Sequence, residues 1–296
     1  MDVARPSLDQ LRTFLTVADE GSFNRAARRL GRTISAVSYA IANLEAVLGV
    51  TLFAREGSRR PVLTPAGQAL LAEARVVADD VDTLIAKVRS LHQGLESELA
   101  LAVDVMVPGS ALADILREFQ RMFPTVTLRL HIEALGAVAA LVCDGRADIG
   151  IGGPVTADLP ELERQHAGSV ELIPVAAPSH PLARMASVAP GEVRRHLQLV
   201  LTDRSRLTEG RDFSVLGTRT WRLADLGAKH MLLREGIGWG NMPHPLVAED
   251  LARGTLVRLT VPESPCLDFP LNALWRRDRL PGPAACWVLT AFQEAL

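Results

Sequence analysis

Residues 22–67 read SFNRAARRLGRTISAVSYAIANLEAVLGVTLFAREGSRRPVLTPAG. Ser22 can cap a short helix that places Ala26, Ala27 and Leu30 on one apolar face. Gly31 ends that helix after little more than two turns. Thr33 can cap a second helix, in which Val37, Ile41, Leu44 and Leu48 fall at offsets 0, +4, +7 and +11, one helical stripe. Gly49 then supplies a left-handed end. Two short helices joined by a glycine-containing turn form a helix-turn-helix, whose second helix lies in the DNA major groove.

With the stripe turned inward, Ser35, Ser38, Tyr39 and Ala42 face outward. Hydroxyls can bond base edges or phosphate oxygens, and Tyr39 can do either while stacking on sugar. Residues 21–60 hold seven arginines against Glu45 and Glu56, a local charge of +5 in a chain of formal charge −2. A basic solvated face accounts for charge alone; charge coincident with this helical pattern points to phosphate. After Phe53, the turn at Gly57-Ser58 is flanked by Arg55, Arg59, Arg60 and Pro61. A hairpin here reads as a wing that lays Arg55, Arg59 and Arg60 along the minor groove or its phosphates. Arg32, Thr33 and Ile34, at the mouth of the second helix, complete the expected DNA-facing set.

The stretches LDQLRTFLTVADEGSFNRAARRL (8–30), SAVSYAIANLEAVLGVTLFAR (35–55) and LTPAG (63–67) resemble the DNA-binding domain of LysR-type transcriptional regulators. The resemblance implies a winged helix-turn-helix over residues 1–63, with Ser35, Ser38 and Tyr39 at a double-stranded operator. The family often has Gln where this chain has Ile34, and Arg where it has Tyr39. Losing an arginine–guanine fork and a glutamine–base contact changes the sequence that is read, while Ile34 can touch a thymine methyl.

Thr64-Pro65 opens another helix, with Thr as cap and Pro in the first turn. Leu70, Ala74, Val77, Val81, Leu84, Val88 and Leu91 alternate at steps of four and three. So narrow a seam suits a helix pair, hence a dimer on a roughly two-fold operator. Residues 64–93 are read as this linker. Heptads alone leave its orientation open; the resemblance implies antiparallel linkers, with dimers pairing again into a tetramer.

The 296 residues are long for one domain. Hydrophobic content of 48% and charged content of 22% fit a soluble globular protein. The chain shows no long uncharged apolar run and no signal-peptide apolar region, so a cytoplasmic location and no membrane partner are expected. Three widely spaced cysteines, at 143, 266 and 286, form no metal-ligand pair and fit a reducing compartment.

From residue 97, strand and helix alternate. Strands are expected around Leu99–Val103, Val126–Ile132 and Ala147–Ile151, with helices over Ala111–Phe123 and Ala137–Cys143 between them, giving a parallel α/β sheet. Strands at Val170–Ala177, Leu197–Leu201 and Ile237–Asn241, a helix near Leu223–Glu235, a strand Phe269–Arg276 and a helix Ala284–Leu296 follow. DGRADIGIGG (144–153), ELIPVAAPSHPLA (171–183) and GIGWGNMPHPLVAEDLARGTLVRL (236–259) resemble the effector-binding region of the same family. That region is similar to periplasmic solute-binding proteins. The resemblance implies a two-lobe α/β effector domain over 97–296, lobe one about 97–168 plus 269–296 and lobe two about 169–268.

Catalytic motifs are missing. GIGWG (236–240) and GIGG (150–153) lack G-x-G-x-x-G, and no G-x-x-x-x-G-K-[ST], G-x-S-x-G or H-E-x-x-H occurs. Neither an enzyme nor a cofactor is expected. An exported solute-binding protein is opposed by the first 92 residues, and an enzyme with a DNA-binding head by these missing motifs. Ligands of open α/β lobes sit beyond the carboxyl ends of strands. That rule selects Asp104, Val105, Met106, Glu133 and Gly153 in lobe one, and Thr202, Asp203, Arg204, Trp239 and Asn241 in lobe two. Helix N-termini favour anions, Asp104 and Glu133 oppose them, and Arg204 and Arg206 favour them, which leaves the ligand's charge open. The expected partners are thus operator DNA, a small-molecule effector and further copies of the chain; RNA polymerase is a partner that a regulator admits.

Overall fold

The computed structural model describes residues 5–54, 61–92, 94–154, 159–185, 187–202, 204–208, 214–263 and 267–296. The chain divides into two compact units, residues 1–89 and 90–296.

In the first unit, α1 (Leu8–Glu20) starts at a capping box of Ser7 with Gln10 and ends at left-handed Gly21. α2 (Phe23–Leu30) is capped by Ser22 and closed by Gly31. α3 (Ile34–Leu48) is capped by Thr33, whose side chain accepts the Ala36 N–H, and ends at Gly49. α4 (Pro65–His92) follows; the Thr64 hydroxyl accepts the Gly67 N–H at 3.0 Å. Phe14, Val17, Ala26, Ala27, Val37, Ile41, Leu44, Leu52 and Phe53 form the core. Phe53 meets Phe14 and Phe23 edge-on, at 5.7 and 5.8 Å between ring centres. A side chain at Gly67 would place a Cβ 2.2 Å from the Leu52 carbonyl oxygen, so glycine lets α4 close on this core.

The seam on α4 serves two surfaces rather than one. Ala74 is buried in the unit's own core and Leu70 packs against it. Farther along, Val77, Leu84 and Val88 are exposed, as are Val76 and Ile85. The period of the seam is the same throughout, so spacing alone did not separate its intramolecular start from its open end.

In the second unit, β1 (Glu98–Asp104), α5 (Gly109–Met122), β2 (Thr127–Glu133), α6 (Gly136–Cys143) and β3 (Ile149–Gly152) alternate. β1 pairs in parallel with both β2 and β3. β4 (Leu162–Ala176) is next, then β5 (Gln198–Leu201), β6 (Thr220–Leu223), α7 (Leu226–Arg234), β7 (Gly240–Pro243), α8 (His244–Arg253), β8 (Val257–Arg258), β9 (Leu267–Arg276) and α9 (Pro283–Ala295). Two 3₁₀ turns, Pro181–Arg184 and Glu192–Arg195, lie between β4 and β5.

The expected parallel pairing holds for β1, β2 and β3, and the later strands add antiparallel pairs to the same sheet. β9 runs antiparallel to β3 and to β4, and β4 runs antiparallel to β7 and β8. β9 pairs along its whole length with Leu162–Leu172 of β4, with one irregularity between His166 and Gly168. This ribbon joins the parallel β2-β1-β3 group to β7 and β8, while β5 and β6 pair in parallel with each other. β4 starts eight residues before the expected Val170 because its opening residues Glu163–His166 are not buried, and so carry no apolar alternation. β6, α8 and β8 were not foreseen.

Candidate nucleic-acid interface and ligand cavity

α3 presents two different faces. Val37, Ile41 and Leu44 are buried, whereas Ile34, Ser35, Ser38, Tyr39 and Ala42 are exposed. Tyr39 is 69% exposed, an aromatic ring held in water with no core to fill. The Ser35 and Thr33 hydroxyls lie 3.0 Å apart. Arg32 forms a two-pronged pair with Asp9, at 2.7 and 2.8 Å. Hydrogen bonding to Arg32 holds the Asp9 carboxyl below its ordinary range. Arg29 is likewise paired, with Glu20 at 2.8 Å. Part of the basic excess is therefore engaged inside the unit, in exposed pairs that water and salt screen.

The extended segment that follows α3 is braced from inside the unit. The Glu45 carboxylate accepts the Leu52 N–H at 2.7 Å and the Phe53 N–H at 3.2 Å. Phe53 bridges Leu63 in antiparallel fashion, and the Ala54 N–H donates to the Val62 carbonyl at 2.8 Å. This is the base of a hairpin. Arg55, Arg59 and Arg60 lie outside the described residues.

The second unit holds a cavity of about 200 Å³. Met106, Leu135, Leu172, Leu199, Leu201 and Phe269 give it apolar walls; Gln198, Ser214, Lys229, Asn241 and Asp268 are its polar ones. Of the effector residues selected from sequence, it brings together Met106 and Asn241. A second cavity, of about 490 Å³, is lined by Glu133 and Arg204 with Asp144, Arg146 and Arg206. Val105 is half-buried and donates its N–H to the Glu133 carbonyl. Thr202 directs both its N–H and its hydroxyl to the Leu223 carbonyl. Trp239 is wholly buried among Leu182, Val193 and Leu259. Asp203 lies outside the described residues.

The structure gives Asp104 a different task from the one expected. Its carboxylate is buried and accepts two backbone N–H groups, from Met106 and from Leu135, each at 2.9 Å. It positions two cavity-lining loops and does not itself line the cavity. Gly153 also acts from behind: a Cβ there would sit 2.2 Å from the Phe269 ring. Gln198 has both ends of its amide in use, donating to the Ser214 carbonyl and accepting from Leu216 and Gly217, each at 2.8 Å. Leu135 and Ser214, the two non-glycine residues with positive φ among the described residues, both line this cavity. Such backbone costs energy and gathers at ligand sites.

Lys229 is the residue that strand-end reasoning missed. It is 3% exposed, lines the cavity, and donates to the Asn241 carbonyl at 2.6 Å. Burial pushes its ammonium down to about 8. A signal for it existed: on α7, Leu226, Lys229 and Leu233 follow at steps of three and four, and all three are buried. Among the described residues, no group of three His, Cys, Asp or Glu side chains has the arrangement of a metal site. No described helix is long and apolar enough to cross a membrane.

Residues 8–68 match the family described as bacterial regulatory helix-turn-helix protein, lysR family, and residues 92–296 match the LysR substrate binding domain. The HTH-type transcriptional activator AllS of Klebsiella pneumoniae is 30% identical over 263 residues, which cover 88% of this chain and 96% of AllS. The probable HTH-type transcriptional regulator YhaJ of Escherichia coli (strain K12) is 29% identical over 286 residues, 96% of this chain and 94% of YhaJ. Among solved structures, full-length LysG from Corynebacterium glutamicum with bound effector Arg has a TM-score of 0.52 at 22% identity, covering 98% of this chain and 97% of LysG. That likeness concerns the fold.

Proposed function

We propose that this chain, which belongs to the LysR family of transcriptional regulators, reads its operator with the outward face of α3 and senses its effector in the cavity around Met106, Lys229 and Phe269. The family is one of DNA-binding regulators with an effector-binding domain, and not of enzymes. In this reading the DNA-binding head spans 1–63, the linker 64–93 and the effector domain 97–296, its lobes joined by the β4–β9 ribbon. Ile34, Ser35, Ser38, Tyr39 and Ala42 meet base edges, Thr33 fixes the helix start, and Arg32, Arg55, Arg59 and Arg60 bind phosphates. Arg32 then exchanges Asp9 for phosphate, and the exposed setting of that pair makes the exchange easy.

The open row Val77, Leu84 and Val88 on α4 is read as the contact between copies, giving a dimer that can pair again into a tetramer in the cytoplasm. Contact with RNA polymerase belongs to the same reading. Effector binding between the lobes biases the placement of the heads through its differential affinity for two arrangements.

The observation that carries the DNA half is the two-faced α3: Val37, Ile41 and Leu44 are buried, while the hydroxyls of Ser35 and Ser38 and the Tyr39 ring are on the exposed side. DNA fragments selected by the purified protein provide the test. On a selected fragment, Ser38→Ala and Tyr39→Ala should each lose about 1–3 kcal/mol where a base contact is removed, and should relax the sequence preference at that position. Unchanged affinity and preference in both variants would remove α3 as the reading helix.

A further inference from the structure

Lys229 is a buried cation with no counter-charge paired to it among the described residues. An ammonium has three donors. One meets the Asn241 carbonyl, and no ion pair joins Lys229 to any described residue. Its stem is locked on the inner face of α7, and Gly240 leaves room for it: a Cβ at that position would lie 3.1 Å from the Lys229 Cε. A cation so placed would be strongly disfavoured were it never matched by negative charge.

The described carboxylates nearest the cavity do not supply that charge. Asp104 is occupied by the Met106 and Leu135 N–H groups and stays behind the wall. Asp268 is exposed at the rim, where water solvates it. On the elements packed against α7, neither β5 nor β7 carries a charged side chain, Arg222 of β6 is exposed, and Glu163, Arg164, His166 and Glu171 of β4 do not line the cavity. The remaining wall is mainly aliphatic and aromatic.

We propose that the cavity takes a small monocarboxylate with an apolar body, its carboxylate set against the Lys229 ammonium and its body against Met106, Leu172 and Phe269. This rests on the reading of the cavity as the effector site. One cation matches one negative charge. A phosphate monoester carries nearly two charges and needs several donors, and among the described residues neither arginine nor histidine lines the cavity. A volume of about 200 Å³ suits a compact acid, at roughly seven times the share of one water molecule.

The test is a panel of carboxylic acids from acetate to benzoate in size, each paired with its primary amide, and inorganic phosphate. Each compound is titrated calorimetrically into the full-length protein at pH 7. The best acid should bind at least about tenfold more tightly than its amide, as a charge-assisted contact requires. That preference should vanish in Lys229→Met. At pH 9, binding of the acid should take up a proton, measured in buffers of different ionisation enthalpy, because the anion restores the charged lysine. Leu201→Phe, which fills the cavity, should abolish binding of both members of a pair. Acid and amide binding equally, with Leu201→Phe still abolishing both, would overturn the carboxylate proposal and leave the cavity as the effector site. Phosphate binding above every acid would overturn it too. Binding indifferent to Leu201→Phe, or no binding by any pair, would overturn the site and the proposal together.

Discussion

Replacing Lys229 with methionine should make the second unit more stable, although it removes a native hydrogen bond. The lysine's ammonium is held at about 8 against an ordinary 10.5. At neutral pH that difference opposes folding by ~3 kcal/mol, at about 1.4 kcal/mol per pH unit. Methionine keeps the length and most of the volume of the stem, so no large cavity opens. It leaves the Asn241 carbonyl without the donor now 2.6 Å away, at a cost of about 1–2 kcal/mol. The net expectation is a gain of about 1–2 kcal/mol, or a rise in Tm of about 2–8 °C for a unit of this size. The pH dependence follows from the same difference. Between about 8 and 10.5 the unfolded chain keeps a proton that the folded protein has shed. Wild-type stability should therefore rise through that window, and the advantage of the variant should shrink. The assay is thermal unfolding followed by tryptophan fluorescence. Trp221, Trp239, Trp275 and Trp287 account for all 4 tryptophans and lie in the second unit, so the signal reports that unit without the head. A variant that melts below wild type, or a difference constant from pH 7 to 10.5, would show that the lysine is not a buried uncompensated charge.

Three further outcomes are expected. Leu84→Asp should leave the unfolding of a single chain within about 0.5 kcal/mol, because Leu84 is 60% exposed there; it should lower the sedimentation coefficient and operator affinity, and an unchanged coefficient would remove α4 as the contact between copies. His180 is held down at about 4, first by burial and then by its neighbour His196, and its Nδ1 accepts the Leu182 N–H at 3.2 Å; its stabilising contribution, present above about 6.5, should be lost as pH falls toward 4. The gap between wild type and His180→Gln in urea unfolding should accordingly narrow by about 1–3 kcal/mol between pH 7 and 4.5, and a gap that does not narrow would refute the assignment. Gly153→Ala should push the Phe269 ring into the cavity, costing about 1–3 kcal/mol in stability and weakening effector binding more than it weakens folding; full binding in that variant would place the effector elsewhere.

The helix-turn-helix was legible because its signals are local. Ser22, Gly31, Thr33 and Gly49 act on backbone within a few residues of themselves, and the stripe Val37, Ile41, Leu44 needs only the helical period. The cavity was legible only as a neighbourhood. Strand-end reasoning reached Met106 and Asn241, yet it took Asp104 for a ligand contact, because nothing near Asp104 in sequence reveals that Leu135, thirty-one residues on, will supply an N–H. Gln198 is similar: its partners Ser214, Leu216 and Gly217 lie across a long connection. The α4 seam was legible as a period and not as a destination, since one spacing serves first the unit's own core and then an open surface.

These misses have a common direction. Local preference and tertiary fold agree through most of the chain, as they must for a sequence to specify one structure. They part around the cavity, where a lysine occupies the apolar stripe of a helix, a leucine and a serine adopt positive φ, and a glycine yields its place to a phenylalanine ring. Burial of the lysine and the positive φ of Leu135 and Ser214 disfavour folding, and all three residues line the cavity. On the proposed reading, a ligand that meets the lysine's charge lifts the largest of these costs only when it is bound, which would make the domain's stability, and the balance between its arrangements, depend on the effector.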